Sequence, residues 1–141
     1  MATDLLRETT RPATRVLIAD DSAAMRGLLV WYLPATLGLE VVAEACDGLE
    51  VLAAVGRTRP DLLLMDVRMP NMDGLEATRQ LRARGESLPI LLLTGHADAV
   101  PAGMVAEVGA NQLLDKSKLG DRLAPAIEAL VQGESRLRVC D

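Results

Sequence analysis

Phenylalanine is absent from the 141 residues, and Trp31, Tyr32 and His96 are each the sole residue of their kind. Aromatic side chains therefore cannot interleave with basic ones to stack bases, and a net charge of −5 leaves no basic stripe to follow a phosphate backbone. DNA is not expected as a direct partner. No apolar run approaches the ~18 residues of a membrane helix, and the stretch from Met1 to Arg15 carries charges and threonines where a signal peptide needs an apolar core. A cytoplasmic protein with no membrane contact is expected. The only two cysteines, Cys46 and Cys140, lack metal-ligand spacing and read as free thiols. No glycine-rich loop follows the first apolar run, which argues against a nucleotide-binding module.

What is present points to one compact α/β domain. Half the residues are hydrophobic and mean hydropathy is +0.20, too apolar for disorder and suited to a sheet covered on both faces. Five short apolar runs stand at Val16–Ala19, Val41–Ala43, Leu62–Met65, Ile90–Leu93 and Leu113–Leu114. Being apolar without alternation, they read as parallel strands buried on both sides. Helical stripes lie between them. Met25, Leu28, Leu29 and Tyr32 form one at i, i+3, i+4, i+7; Pro101, Met104, Val105 and Val108 form another, and Leu123, Ala126, Ile127 and Leu130 a third. Shorter stripes at Leu49, Leu52, Ala53 and at Leu75, Thr78, Leu81 complete a fivefold strand–helix alternation, which right-handed crossovers turn into a doubly wound parallel sheet. Pro34 and Gly38 are expected to close the first helix, Arg59-Pro60 to precede the third strand, and Gly109 the fifth. The last helix is expected to end near Gly133. The domain is thus read as residues 15–133, between flexible tails at 1–14 and 134–141.

Open α/β sheets place ligand sites just beyond the carboxyl ends of their strands. There the polar residues line up: Asp20-Asp21 after strand one, Asp66 after three, Thr94 after four and Asp115-Lys116 after five. Converging carboxylates repel by about 4 kcal/mol per pair at 4 Å and an effective dielectric of 20, so a cation must compensate. Mg²⁺, which commonly combines one or two carboxylates with waters and a phosphate, fits this donor set, and Lys116 adds a fixed charge. A carboxylate attacking phosphorus needs a metal, an ammonium and a hydroxyl around the equatorial oxygens. Asp66, Mg²⁺, Lys116 and Thr94 match those roles.

The strings Val16-Leu17-Ile18-Ala19-Asp20-Asp21-Ser22, Asp61 through Asp66 to Leu75, Leu91-Leu92-Leu93-Thr94-Gly95, Gly109-Ala110 and Lys116 resemble the receiver domain of two-component response regulators, from about Arg15 to Gln132. The resemblance implies a five-stranded parallel sheet in the flavodoxin-like order 2-1-3-4-5, an order known from the family itself. It implies that Asp66 is the phosphoacceptor, that Asp21, Asp66 and the backbone carbonyl of Arg68 bind Mg²⁺ while Asp20 positions it, and that Thr94 and Lys116 contact the phosphoryl group. It further implies a phosphorylation-dependent switch rather than a turnover enzyme, fed by a sensor histidine kinase or histidine phosphotransfer protein. The output would be a downstream protein meeting helix four, strand five and helix five, with homodimerisation left open. The alternatives are a receiver-like interaction module that no longer uses phosphate, or a receiver belonging to a DNA-binding transcriptional regulator, for whose output the end at Asp141 leaves no room. A dehalogenase-type phosphatase would want Asp-x-Asp, and Asp66-Val67-Arg68 lacks the second acid.

Some positions depart from the family pattern. Leu113 stands where many receivers carry an aromatic switch residue, and Ser117 follows the lysine in place of proline, so a cis peptide there would cost about 2.5–4 kcal/mol. By the resemblance, Arg68 and His96, each two residues past a site residue, flank the path of attacking water. Plainer readings also exist: Asp20-Asp21 before Ser22 as helix N-terminal acids, His96 and Asp115 as exposed residues, Asp73-Gly74 as a turn and helix start, and Trp31 as packing within the first helix.

Overall fold

The computed structural model describes residues 13–140 and their side chains as far as residue 132. Five strands alternate with five helices: β1 (Arg15–Ala19), α1 (Ala23–Leu37), β2 (Glu40–Ala45), α2 (Gly48–Thr58), β3 (Leu62–Asp66), α3 (Gly74–Ala83), β4 (Ile90–Thr94), α4 (Met104–Val108), β5 (Gln112–Asp115) and α5 (Leu119–Cys140). Single 3₁₀ turns at Ala97–Ala99 and Lys116–Lys118 follow β4 and β5. All four strand pairings are parallel and the order is 2-1-3-4-5, as the resemblance implies.

Why the central strands are apolar throughout is visible in the two cores. Leu17, Ala19, Leu63, Met65, Ile90 and Leu92 point to one face, against Val51, Leu52, Ala54 and Val55 of α2 and Ala77 and Leu81 of α3. The residues between them, Val16, Ile18, Leu62, Leu64, Leu91 and Leu93, point to the other, against Leu29 and Leu33 of α1 and Leu123, Ala126 and Ile127 of α5. Each fully buried leucine or isoleucine is worth roughly 1.5–3 kcal/mol, so both faces must be covered for the fold to stand.

The helices depart from expectation in several places. α1 is apolar all round, so its sequence does not decide which side turns inward. Leu29 and Leu33 take the core, whereas Leu28 is 51% and Trp31 65% exposed, so neither packs as expected. Pro34 does not stop α1: the helix passes through it to Leu37, and Gly38, left-handed at φ 67°, closes it. In α2 the buried stripe is Val51, Leu52, Ala54, Val55, leaving Leu49 and Ala53 outside. α4 is a short helix begun at left-handed Gly103, so Pro101 lies before it, exposed. α5 carries past Gly133 to Cys140, since one glycine costs a helix only about 1 kcal/mol and no proline follows; the expected tail at 134–141 is therefore helical backbone up to Cys140. Of the expected tail at 1–14, residues 1–12 lie outside the described residues, while the Thr14 carbonyl accepts from the Glu40 N–H. Among the described residues, no helix is long and apolar enough to cross a membrane.

Candidate functional site

The site is assembled where β1, β3 and β5 end. β1 and β3 are hydrogen-bonded neighbours, so the residues following them share one rim of the sheet. Asp20 follows Ala19, and its own N–H is held by the Ala45 carbonyl of β2 at 3.0 Å. One Asp20 carboxylate oxygen accepts from the Ser22 N–H at 2.8 Å, turning the chain into α1, whose first turn Ser22 caps by accepting from Met25 N–H. The adjacent Asp21 is thereby left exposed above the rim. Asp66 is the last residue of β3 and is 6% exposed; Asp20 is 1% exposed.

Carboxylate oxygens of Asp20, Asp21 and Asp66 lie within 4.8 Å of one another. The Lys116 ammonium, delivered by the turn after β5, donates to Asp20 at 2.7 Å and stands 3.4 Å from Asp66. Three negative charges thus face one ammonium. Burial, reinforced by the charge of Asp20, pushes the Asp66 carboxyl above the ordinary aspartate value, against the opposing pull of Lys116 and of the Arg68 backbone N–H. Burial alone would lower the Lys116 pKa, but its hydrogen bond to Asp20 and the charges of Asp66 and Asp20 together raise it. Such a cluster of hard oxygen donors, short of positive charge and open on the Asp21 side, fits a small divalent cation.

Thr94 ends β4. It is buried and follows Leu93, the register partner of Asp66, and its hydroxyl accepts from the His96 N–H at 3.1 Å. The side chains of Arg68 and His96 are exposed. The Lys116–Ser117 bond is trans, and a 3₁₀ turn forms there in which Asp115, half-buried rather than exposed, accepts from the N–H and hydroxyl of Ser117. Asp73 caps α3, as a turn-and-helix start requires. The sequence reading missed Arg26, whose guanidinium donates to the Asp20 carbonyl at 2.7 Å and pairs with Glu44 at 3.2 Å, tying the rim of β1 to β2. No sequence signal marks it. It also missed Asp47, which caps α2; the Asp47-Gly48-Leu49-Glu50 spacing of a capping box was the available clue.

A doubly wound parallel sheet in the order 2-1-3-4-5, with an acidic, lysine-bearing site at its switch point, defines the class of flavodoxin-like α/β proteins. The match to the family model "Response regulator receiver domain" over residues 16–128 places the chain in that family. It is 37% identical over 123 residues to the transcriptional regulatory protein LiaR of Bacillus subtilis, covering 87% of this chain and 58% of that protein. It is 40% identical over 118 residues to the response regulator MprA of Mycobacterium leprae, covering 84% of this chain and 51% of that protein. The chain thus spans about half the length of these relatives. Among solved structures, the response regulator domain of Thermotoga maritima CheB superposes with a TM-score of 0.78 at 25% identity, covering 86% of this chain and 98% of that one.

Proposed function

We propose that this receiver is a phosphorylation switch in which Asp66 takes a phosphoryl group from a phosphohistidine on a sensor kinase or phosphotransfer protein. The observation that carries this is the meeting of Asp20, Asp21 and Asp66 within 4.8 Å, with the Lys116 ammonium on Asp20 and near Asp66. A carboxylate oxygen of Asp66 forms the new O–P bond as the P–N bond to the donor imidazole breaks; the ring leaves as neutral imidazole when its other nitrogen already carries a proton, and otherwise takes one from solvent as it departs. Bound by Asp21, Asp66 and the Arg68 carbonyl, with Asp20 positioning it, Mg²⁺ would neutralise charge developing on the transferring oxygens. The Lys116 ammonium balances the same charge from the β5 side. The Thr94 hydroxyl, accepting from His96 N–H, retains its proton to donate to a phosphoryl oxygen. With Leu113 in place of an aromatic, the change is passed to the α4–β5–α5 surface by the Thr94 loop and not by a ring swing. A downstream protein, or a second copy, would read that surface. The working compartment is the cytoplasm, where the kinase domains that supply phosphohistidine reside.

The test is intact mass after incubation with acetyl phosphate and Mg²⁺. Wild type should gain one phosphoryl group and Asp66→Asn none; equal labelling of the variant would remove Asp66 from this role.

A further inference from the structure

Between β3 and α3 the chain folds back over its own site. Val67 and Met69 bury their side chains in the core, while Arg68 between them is exposed, and its backbone N–H helps hold down the pKa of the Asp66 carboxyl. The base of this loop is pinned by the Val67 N–H on the Leu93 carbonyl and the Gly74 N–H on the Val67 carbonyl, each at 2.8 Å. Its crown, Pro70 to Met72, is held by α2. The Gly48 N–H donates to the Met72 carbonyl at 2.9 Å, and the Asn71 side-chain amide donates to one oxygen of Asp47 at 2.7 Å. The other Asp47 oxygen accepts from the Glu50 N–H at 2.8 Å, which makes Asp47 both the cap of α2 and the anchor of the loop. The contact is close: a Cβ on Gly48 would lie 2.6 Å from the Met72 carbonyl oxygen. Asn71 itself sits at φ 67°, a left-handed conformation that a non-glycine residue keeps only when its surroundings hold it there.

We infer that Asp47 and Asn71 form a latch that positions the metal site, holding the loop crown on α2 and thereby fixing the Arg68 backbone beside Asp66. The inference rests on the reading of Asp66 and Arg68 proposed above. A backbone carbonyl has no rotamers with which to find a cation, so only the path of the loop can place it. Both are positioning residues, since each acts through the loop. Loss of groups that orient metal ligands typically weakens affinity by about 10- to 100-fold. A latch acting through one loop belongs at the lower end, near ~10-fold.

Two variants separate the latch from the helix cap. Asp47→Ser keeps a good N-cap hydroxyl but is too short to reach Asn71. Asn71→Gly keeps the left-handed backbone at no steric cost and removes the amide. Mg²⁺ titrated alone by calorimetry should bind both variants about tenfold more weakly than wild type, and the double variant no more weakly than either single one, because the two residues form one contact. Hydrogen exchange without added metal should quicken at the amides of Arg68, Met69, Asn71 and Met72 and stay unchanged in β1 and β3. Labelling by acetyl phosphate should fall at low Mg²⁺ and recover at saturation. Mg²⁺ affinity within twofold of wild type in both variants, or losses that multiply in the double variant, would overturn the latch while wild type still binds Mg²⁺ and takes a phosphoryl group. Wild type that does neither would overturn the reading of Asp66, and the latch with it.

Discussion

Replacing Asp66 with Asn takes one negative charge out of a cluster whose fold must hold it in place. Buried Asp20, with an oxygen within 4.8 Å, repels Asp66 by roughly 3–4 kcal/mol at an effective dielectric of 20, exposed and solvent-screened Asp21 adds roughly 1 or less, and Lys116 at 3.4 Å returns roughly 5. The charges thus nearly cancel, and burial of the carboxylate, the largest cause of its raised pKa, leaves a net cost of about 2 kcal/mol. Asparagine fills the same volume and removes that cost. At roughly 4 °C per kcal/mol for a domain of this size, the variant should melt about 8 °C above wild type in EDTA at neutral pH. The pH dependence follows from the raised pKa of Asp66. Folded protein holds that proton more tightly than unfolded protein, so ionising Asp66 costs nothing below the ordinary aspartate value and its full amount above the raised one. The advantage of the variant should therefore shrink as pH falls through that window. Mg²⁺ should reverse the ranking near saturation, since a cation at about a hundred times its Kd adds about 2.7 kcal/mol to wild type and much less to a variant missing a ligand. Melting followed by circular dichroism with EDTA, and with rising Mg²⁺, reads both effects. An Asp66→Asn protein that is less stable without metal, or as responsive to Mg²⁺ as wild type, would refute the electrostatic account.

Lys116→Met should cost about 2–3 kcal/mol at neutral pH by leaving buried Asp20 without its ammonium, less than a fully buried pair because Lys116 is partly exposed. Because the Lys116 pKa is raised in the fold, this stabilisation is fully present below the ordinary lysine value near ~10.4 and fades only as pH climbs past the higher folded value; a wild-type advantage that vanishes at neutral pH would contradict it. Gly74→Ala would drive a methyl group into the Asp66 carbonyl, a backbone atom that cannot swing aside, and should cost about 2–3 kcal/mol in urea unfolding; a midpoint matching wild type would show that the turn has slack.

The strands could be read from the sequence because a parallel sheet covered on both faces leaves its central strands no polar position, and the acids and lysine stood out where those runs stop. The helices were harder for a related reason. α1 carries apolar residues on every side, so its inward face is chosen by packing on β1 and α5, and no period in the sequence singles out Leu29 and Leu33 over Leu28 and Trp31. Pro34 failed as a stop because a last helical turn can lose one hydrogen bond and still be closed by Gly38. Within the site, residues at strand ends were found, whereas Arg26 and the Asp47–Asn71 contact depend on which helix and loop come to rest beside them. Sequence spacing does not encode that neighbourhood.

The two-sided burial of β1, β3 and β4 also dictates where this protein can keep ionised chemistry. Moving Asp66 even two residues back, to the place of Leu64, would seal a carboxylate among aliphatic side chains with neither solvent nor an ammonium in reach. Reactive acids can therefore live only at the lip of the sheet. The protein could redesign its output by altering the loops around that lip, but it has no second place within the sheet to which the reaction could migrate.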